Sequence, residues 1–381
     1  MNVLSLFDGM SCGRIALDRA GIDVDQYYAS ELDKHAIAVT QANWPDTVQL
    51  GDVTNWREWD IDWSSIDLLI GGSPCQGFSF AGKQLAFDDP RSKLFFVYVD
   101  ILNHIRSLNP DVKFMLENVK MKKGYIDVIS EQLGVEPVFI NSALVSAQNR
   151  QRFYWANWSF NQPEDKGIVL ADILETGYAD RDKSLTVTTR IAGATAKRYL
   201  EKSMHQMAIE LRPASIVGRK LDENGKRNDT LDQKLVQCLE VQSHQKSRCL
   251  STVAKDTVIS PMKPGRYPLH DWKDASDKNP EIKGDYLQLD PNQKKQYSQC
   301  NRINLPHTKH KSLSGTSGGN KHGVADADTL MYRKLTPEEC EALQTVPRGY
   351  TAHVSNTQRY KMLGNGWTVD VIAHIFSSMN C

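Results

Sequence analysis

The chain has 381 residues, 46 Lys plus Arg against 46 Asp plus Glu, 40% hydrophobic and 24% charged residues, and a mean hydropathy of −0.47, the balance of a globular protein. No run of about 18 or more apolar residues occurs, which excludes a helical membrane span, and eight Trp, thirteen Tyr and eleven Phe carry too much apolar surface for a wholly disordered chain. At about 150 residues per domain the length suggests two domains, or one large domain with an insertion.

The first strand candidate, Val3 to Phe7, begins directly after Met1 and Asn2 with no basic segment before it, so it reads as a buried strand and not as a signal peptide. Seven cysteines lack any CxxC or Cys/His ligand spacing; a reducing cytoplasmic setting is expected, with neither a disulfide framework nor a metal. Further strand candidates are Gln26 to Ser30, Thr47 to Leu50, Ile66 to Gly71, Lys113 to Leu116, Pro137 to Leu144 and Arg152 to Asn157. Between them lie amphipathic stretches such as Ser92 to Leu108, where Leu94, Phe95, Val97, Tyr98, Ile101, Leu102, Ile105 and Leu108 form a stripe at helical spacing. This alternation predicts an α/β domain with a doubly wound parallel sheet.

Near Trp158 the pattern changes, and roughly 170 residues rich in Ser, Thr, Lys, Gln and Asn follow, read as a separate, mostly irregular or short-stranded domain. From Arg181 to Arg266, 17 Lys plus Arg face 9 Asp plus Glu. Such a surplus suits a polyanion-facing surface, and a solvated loop region equally well. Three loosely similar pieces begin at Lys183, Lys246 and Lys311. Helical order returns at Thr336-Pro337-Glu338-Glu339, an N-cap, an N1 proline and an N3 glutamate, and a last amphipathic helix spans Thr368 to Phe376, so the C-terminus reads as a return to the first domain.

Chemistry-bearing residues fall at the strand ends. Phe7-Asp8-Gly9-Met10-Ser11-Cys12-Gly13 stands where a doubly wound fold binds a nucleotide, without the GxGxxG of a dinucleotide site. Glu31 could accept from ribose hydroxyls and Asp52 from an adenine amino group, or each could cap the next helix. Gly71-Gly72-Ser73-Pro74-Cys75-Gln76 sets a cysteine on a Gly/Pro-rich loop, a nucleophile if its pKa is lowered and otherwise a small hydrophobe. Glu117 in Glu117-Asn118-Val119 could donate a proton or simply cap or pair, and Arg150 and Arg152, two apart on extended chain, could hold a phosphate or carbonyl oxygen or form surface ion pairs.

Phe7-Asp8-Gly9, Glu31, Asp52, Gly72-Ser73-Pro74-Cys75-Gln76, Glu117-Asn118-Val119, Gln148-Asn149-Arg150-Gln151-Arg152 and Gly364-Asn365-Gly366, in this order, resemble the cytosine-5 DNA methyltransferase family. The resemblance implies a Rossmann-like catalytic domain over residues 1–158 and 333–381 with a target recognition domain inserted at 159–332. It implies Cys75 as nucleophile, Glu117 as the acid at the cytosine ring, and Arg150 and Arg152 as ring and phosphate anchors. Phe7, Asp8, Gly9, Glu31, Leu32, Asp52, Val53, Pro74, Leu94, Asn365 and Trp367 are implied to surround S-adenosylmethionine, with S-adenosylhomocysteine as product. Double-stranded DNA is the implied partner, met by Gln76, Ser79, Arg219, Lys220 and Arg248 and methylated in a short specific sequence. A monomeric, prokaryotic or phage-encoded protein at the nucleoid follows, with a cognate restriction endonuclease as a candidate partner. Asp8, Ser11-Cys12 and Gly366-Trp367 depart from the commonest bacterial pattern; Phe7-Asp8-Gly9 and the Trp367 helix are more similar to the animal de novo enzymes, a likeness that implies Trp367 packs on the cofactor.

Rival readings are a tRNA cytosine methyltransferase, disfavoured by the long middle region, a catalytically idle DNA-binding module, and a nicotinamide-dependent oxidoreductase.

Overall fold

The computed structural model describes residues 1–73, 93–210 and 332–379 throughout, and between them residues 212–222, 227–228, 230, 232, 235–241 and the short strands 257–260, 265–268, 285–286, 303–305 and 323–324. The chain divides into two compact units, one formed by residues 1–175, 182–206 and 334–381, the other by residues 176–181 and 207–333.

The first unit is built on β1 (Asn2–Leu6), α1 (Cys12–Arg19), β2 (Gln26–Ser30), α2 (Lys34–Asn43), β3 (Val48–Gln49), β4 (Leu68–Gly71), α3 (Lys93–Leu108), β5 (Lys113–Val119), α4 (Lys123–Leu133), β6 (Val138–Asn141) and β7 (Gln151–Ala156). It continues through α5 (Leu170–Ile173) and α6 (Ala196–Lys202), and ends in α7 (Pro337–Leu343), α8 (Asn356–Asn365) and α9 (Val369–Ser377). The seven strands form one sheet in the order β3-β2-β1-β4-β5-β7-β6.

The sheet is parallel except at β7, which runs antiparallel to both β5 and β6. Only the nine residues 142–150, with a single 3-10 turn, separate β6 from β7. That is too short for the crossover a parallel neighbour requires, so the chain can only double back. The reversal matters for the site, because it brings the start of β7 beside the carboxyl end of β5.

Alternate residues serve opposite faces, as the two-residue period of a strand dictates. Leu4, Leu6, Leu69, Phe114 and Leu116 pack with Phe95, Tyr98, Ile101, Leu102 and Ile105 of α3 and with Ile129 and Leu133 of α4. On the other face α1 packs against α9, which buries Val369, Val371, Ile372, Ile375 and Phe376. Burying a side chain of this size contributes about 1.5–3 kcal/mol. The expected stripe of α3 holds except at its last residue, since Leu108 ends the helix and is half exposed. Thr336 and Glu339 form the reciprocal capping box at α7, with Thr336 Oγ1 accepting from Glu339 N at 3.1 Å and Glu339 Oε2 accepting from Thr336 N at 2.8 Å.

The second unit contains an antiparallel sheet in the order Thr257–Ser260, Arg212–Arg219, Val236–Val241, Gly265–Pro268. Residues 285–286, 303–305 and 323–324 make a three-stranded sheet, and Met207–Ile209 pairs with Tyr332–Lys334. Among the described residues no helix is long and apolar enough to cross a membrane.

Candidate active site

Strand order reverses between β1 and β4, so the crevice of this doubly wound sheet opens at the carboxyl ends of those two strands. The chain leaves β1 by a turn with three left-handed residues in five, Phe7 at φ 57°, Gly9 at 62° and Ser11 at 59°. Glycine adopts this conformation freely, whereas Phe7 and Ser11 are held there by their surroundings, as strained residues at ligand sites are. The Asp8 side chain accepts from Tyr27 Oη at 2.9 Å and from Ser11 Oγ. Burial pushes its carboxyl up to about 6, against the hydroxyls of Ser11, Ser5 and Tyr27, and neighbouring Glu31 adds to the rise.

Glu31 follows β2 and ties two turns together: Oε2 accepts from Gly9 N at 2.8 Å, and Oε1 accepts from Leu32 N at 2.8 Å and Asp33 N at 2.7 Å. The cap of α2 is Asp33, through His35 N at 3.0 Å. Asp52 does cap its helix, with Oδ1 accepting from Thr54 N and Oγ1 at 2.9 and 2.8 Å. Leu32 is 68% exposed, Val53 is buried, and Leu94 packs at the edge of the core. Small residues keep the crevice narrow. A Cβ on Gly13 would lie 2.4 Å from Ile70 Cδ1, and one on Gly72 would lie 2.9 Å from Trp367 Nε1. A glycine-lined crevice flanked by three carboxylates suits a nucleoside that brings ribose hydroxyls and a cationic centre.

Glu117 sits near the end of β5 opposite Tyr154, so Arg152, two residues earlier on β7, is its diagonal neighbour on the same face. Arg152 Nε meets Glu117 Oε1 at 2.7 Å, with the two side chains 14% and 11% exposed. Trp367 Nε1 donates to Glu117 Oε2 at 3.2 Å. The next residue, Asn118, is buried and donates to Ser73 Oγ at 3.4 Å, joining the β5 end to the β4 loop. Burial pushes the Tyr154 hydroxyl well above its ordinary range.

Within the chain the two arginines have different partners. Arg150 is 3% exposed and donates to Val187 O at 3.2 Å, Gly364 O at 3.3 Å and Gly366 O at 2.8 Å. Burial, then the charge of Arg152, lowers it to about 9. Gln148 and Gln344 complete this clamp: Gln148 Nε2 donates to Leu343 O at 2.6 Å, and Gln344 Nε2 to Leu363 O at 2.6 Å. Within the first of the three similar pieces, 183–189, residues 184–189 run along Gln148 to Arg150 and against Gly364. Gln344, Val187 and the Trp367 to Glu117 bond have no local signal in the sequence; Gly364 itself is the one mark of the close approach, since a Cβ there would lie 2.2 Å from Thr189 N.

Asn365 is exposed at the end of α8. Pro74, Cys75, Gln76, Ser79 and Arg248, with the pieces beginning at Lys246 and Lys311, lie outside the described residues. Arg219 and Lys220 belong to the second unit, half-buried at the end of strand Arg212–Arg219.

A family described as C-5 cytosine-specific DNA methylase matches residues 1–381. The chain is 25% identical to the orphan methyltransferase M.SPRI of Bacillus phage SPR, over 100% of this chain and 97% of that one. It is 31% identical to the type II methyltransferase M.NlaX of Neisseria lactamica over 52% of this chain and 66% of that one. It is 34% identical to the type II methyltransferase M.HpaII of Haemophilus parainfluenzae, over 45% of this chain and 52% of that one. The chain thus spans less than two thirds of these two type II relatives. Among solved structures, the Entamoeba histolytica methyltransferase EhMeth shares the fold, with a TM-score of 0.52 at 13% identity, covering 100% of this chain and 97% of that one.

Proposed function

The chain belongs to the C-5 cytosine-specific DNA methylase family, and from that premise we propose that it methylates a cytosine within a short duplex sequence, after turning the base out of the helix, through a transient covalent bond to Cys75. The observation that carries this reading is the Glu117–Arg152 pair at the carboxyl edge of the sheet beside the strand-order reversal. S-adenosylmethionine supplies an electrophilic methyl group on a sulfonium sulfur. Glu31, at the end of β2 beside the Gly9 turn, would hold its ribose.

Carbon 5 of cytosine is a poor nucleophile. The Cys75 thiolate would add to carbon 6, the electron pair of the 5,6 double bond would move to carbon 5, and carbon 5 would take the methyl group as the methyl–sulfur bond breaks and leaves the neutral thioether S-adenosylhomocysteine. Glu117 supplies a proton or hydrogen bond at ring nitrogen 3, offsetting the charge that the addition pushes into the ring. Arg152 holds Glu117 and the ring oxygen side. A water molecule would then take the proton from carbon 5, the electron pair of that bond would re-form the 5,6 double bond, and Cys75 would leave carbon 6 as the thiolate, restoring the ring. Cys75 follows Ser73 by two residues, and Ser73 is bonded to Asn118, next to Glu117, which supports their joint action.

None of these ring atoms is reachable in a stacked duplex, so the base must leave the stack. Arg219 and Lys220 contact phosphates and the second unit reads flanking bases. A duplex carrying 5-fluorocytosine tests the covalent step, because fluorine cannot depart as a proton does and the adduct persists. A protein–DNA band surviving denaturation is expected, absent in Cys75→Ser. Methyl transfer at the wild-type rate by Cys75→Ser would refute the assignment.

A further inference from the structure

Gly366 and Trp367 form the turn between α8 and α9, and this turn is held from two sides. Arg150 donates to Gly364 O and Gly366 O, and Gln344 Nε2 donates to Gly366 O at 3.2 Å. The indole is held as well. A Cβ on Gly13 would lie 3.5 Å from Trp367 Cζ3 and one on Gly72 2.9 Å from Nε1, so the ring touches the start of α1 and the end of β4, bridging the two loops that flank the crevice. A wall of the crevice would need no more of the ring than this. Its N–H points elsewhere, to Glu117 Oε2 at 3.2 Å.

We propose that Trp367 is the positioning residue of Glu117, its indole N–H fixing the plane of the carboxyl group that Arg152 grips by the other oxygen. The proposal rests on Glu117 being the acid of the reaction. The last torsion of a glutamate is broad and roughly two-fold, so one partner at Oε1 leaves the carboxyl group free to swing. A second donor at Oε2 removes that freedom. Misplacement of a reacting group by about 1 Å can cost 100-fold in rate, and a looser carboxyl group lowers turnover without touching the cofactor's own contacts.

Trp367→Phe keeps an aromatic ring and deletes the donor. The expected result is a fall in kcat of about 10- to 100-fold, with the KM for S-adenosylmethionine and the calorimetric Kd of S-adenosylhomocysteine within about threefold of wild type. Because Phe is also smaller, a second variant carries β-(3-benzothienyl)alanine at position 367, which keeps the bicyclic outline and replaces N–H by sulfur. It should show the same loss in kcat with an unchanged melting temperature. Full kcat in the benzothienyl variant, or a defect confined to KM and Kd, overturns the proposal. Glu117→Gln is measured alongside: wild-type turnover there sinks the reading of Glu117 as the acid, whereas an inactive Glu117→Gln with normal Trp367 variants sinks the positioning role alone.

Discussion

Arg150→Met tests whether this arginine is a clamp inside the protein or an anchor for the substrate. The substitution removes three donated bonds, to Val187 O, Gly364 O and Gly366 O. Gly366 O keeps Gln344 Nε2 at 3.2 Å, so two carbonyls lose their donor. Stranding each costs about 1–3 kcal/mol. Against this, methionine no longer carries a charge into a site where burial pulls the arginine down to about 9, which returns part of the desolvation cost. A net loss of about 3 kcal/mol results, within the usual range for breaking a buried polar network. Urea unfolding followed by circular dichroism reads the stability, and hydrogen exchange reads where the structure opens. Protection should fall at residues 184–189 and 364–367 and stay unchanged in α3 and α4. Arg150→Lys should recover about 1 kcal/mol, since one ammonium group cannot span three carbonyls. Stability within about 0.5 kcal/mol of wild type, a margin ordinary for surface changes, together with a large loss of DNA affinity, would refute the reasoning and return Arg150 to the substrate.

Asp8→Asn should flatten the pH dependence of stability. A carboxyl raised from 3.8 to about 6 in the folded state keeps a proton that the unfolded chain releases, so stability falls as pH rises from about 4 to 6. The loss is at most about 3 kcal/mol for two units. Asn can replace it if the Ser11 hydroxyl turns to accept and donates to Thr40 Oγ1, 3.0 Å away. Melting curves at pH 4.5 and 7.5 decide this, and equal slopes for the two proteins would contradict it. Glu31→Ala should weaken S-adenosylhomocysteine binding by at least about tenfold, as expected for a lost charge-assisted hydrogen bond, with kcat at saturating cofactor changed less than threefold; unchanged calorimetric affinity would remove Glu31 from the cofactor site. Neutralising Arg219 and Lys220 together should reduce the salt slope of DNA binding by about two at most, and an unaltered slope would move the phosphate contact elsewhere.

Much of the first unit was legible because its signals are local. Apolar strands ending in Gly9, Glu31, Asp52 and Gly72 mark one edge of a sheet, and the capping box at Thr336 needs only four residues to declare itself. The direction of β7 was less visible, since strand patterning carries no sign of direction and only the short 142–150 connection does. Arg150 shows the same limit at the level of a side chain. Its spacing from Arg152 suggests a shared target, but its acceptors come from residues 187, 364 and 366, more than 35 positions away in the chain. The bond between Trp367 and Glu117 spans 250 residues, and no pattern within one element announces it. Asp8 could be placed at the crevice from its position, but its raised carboxyl depends on burial, which only the folded chain defines.

The most direct test of the account is bisulfite sequencing of a plasmid from cells expressing the chain, beside a Cys75→Ser control. The account predicts protected cytosines confined to one short sequence context and absent from the control. Protection in the control, or none with the wild-type chain, would contradict it.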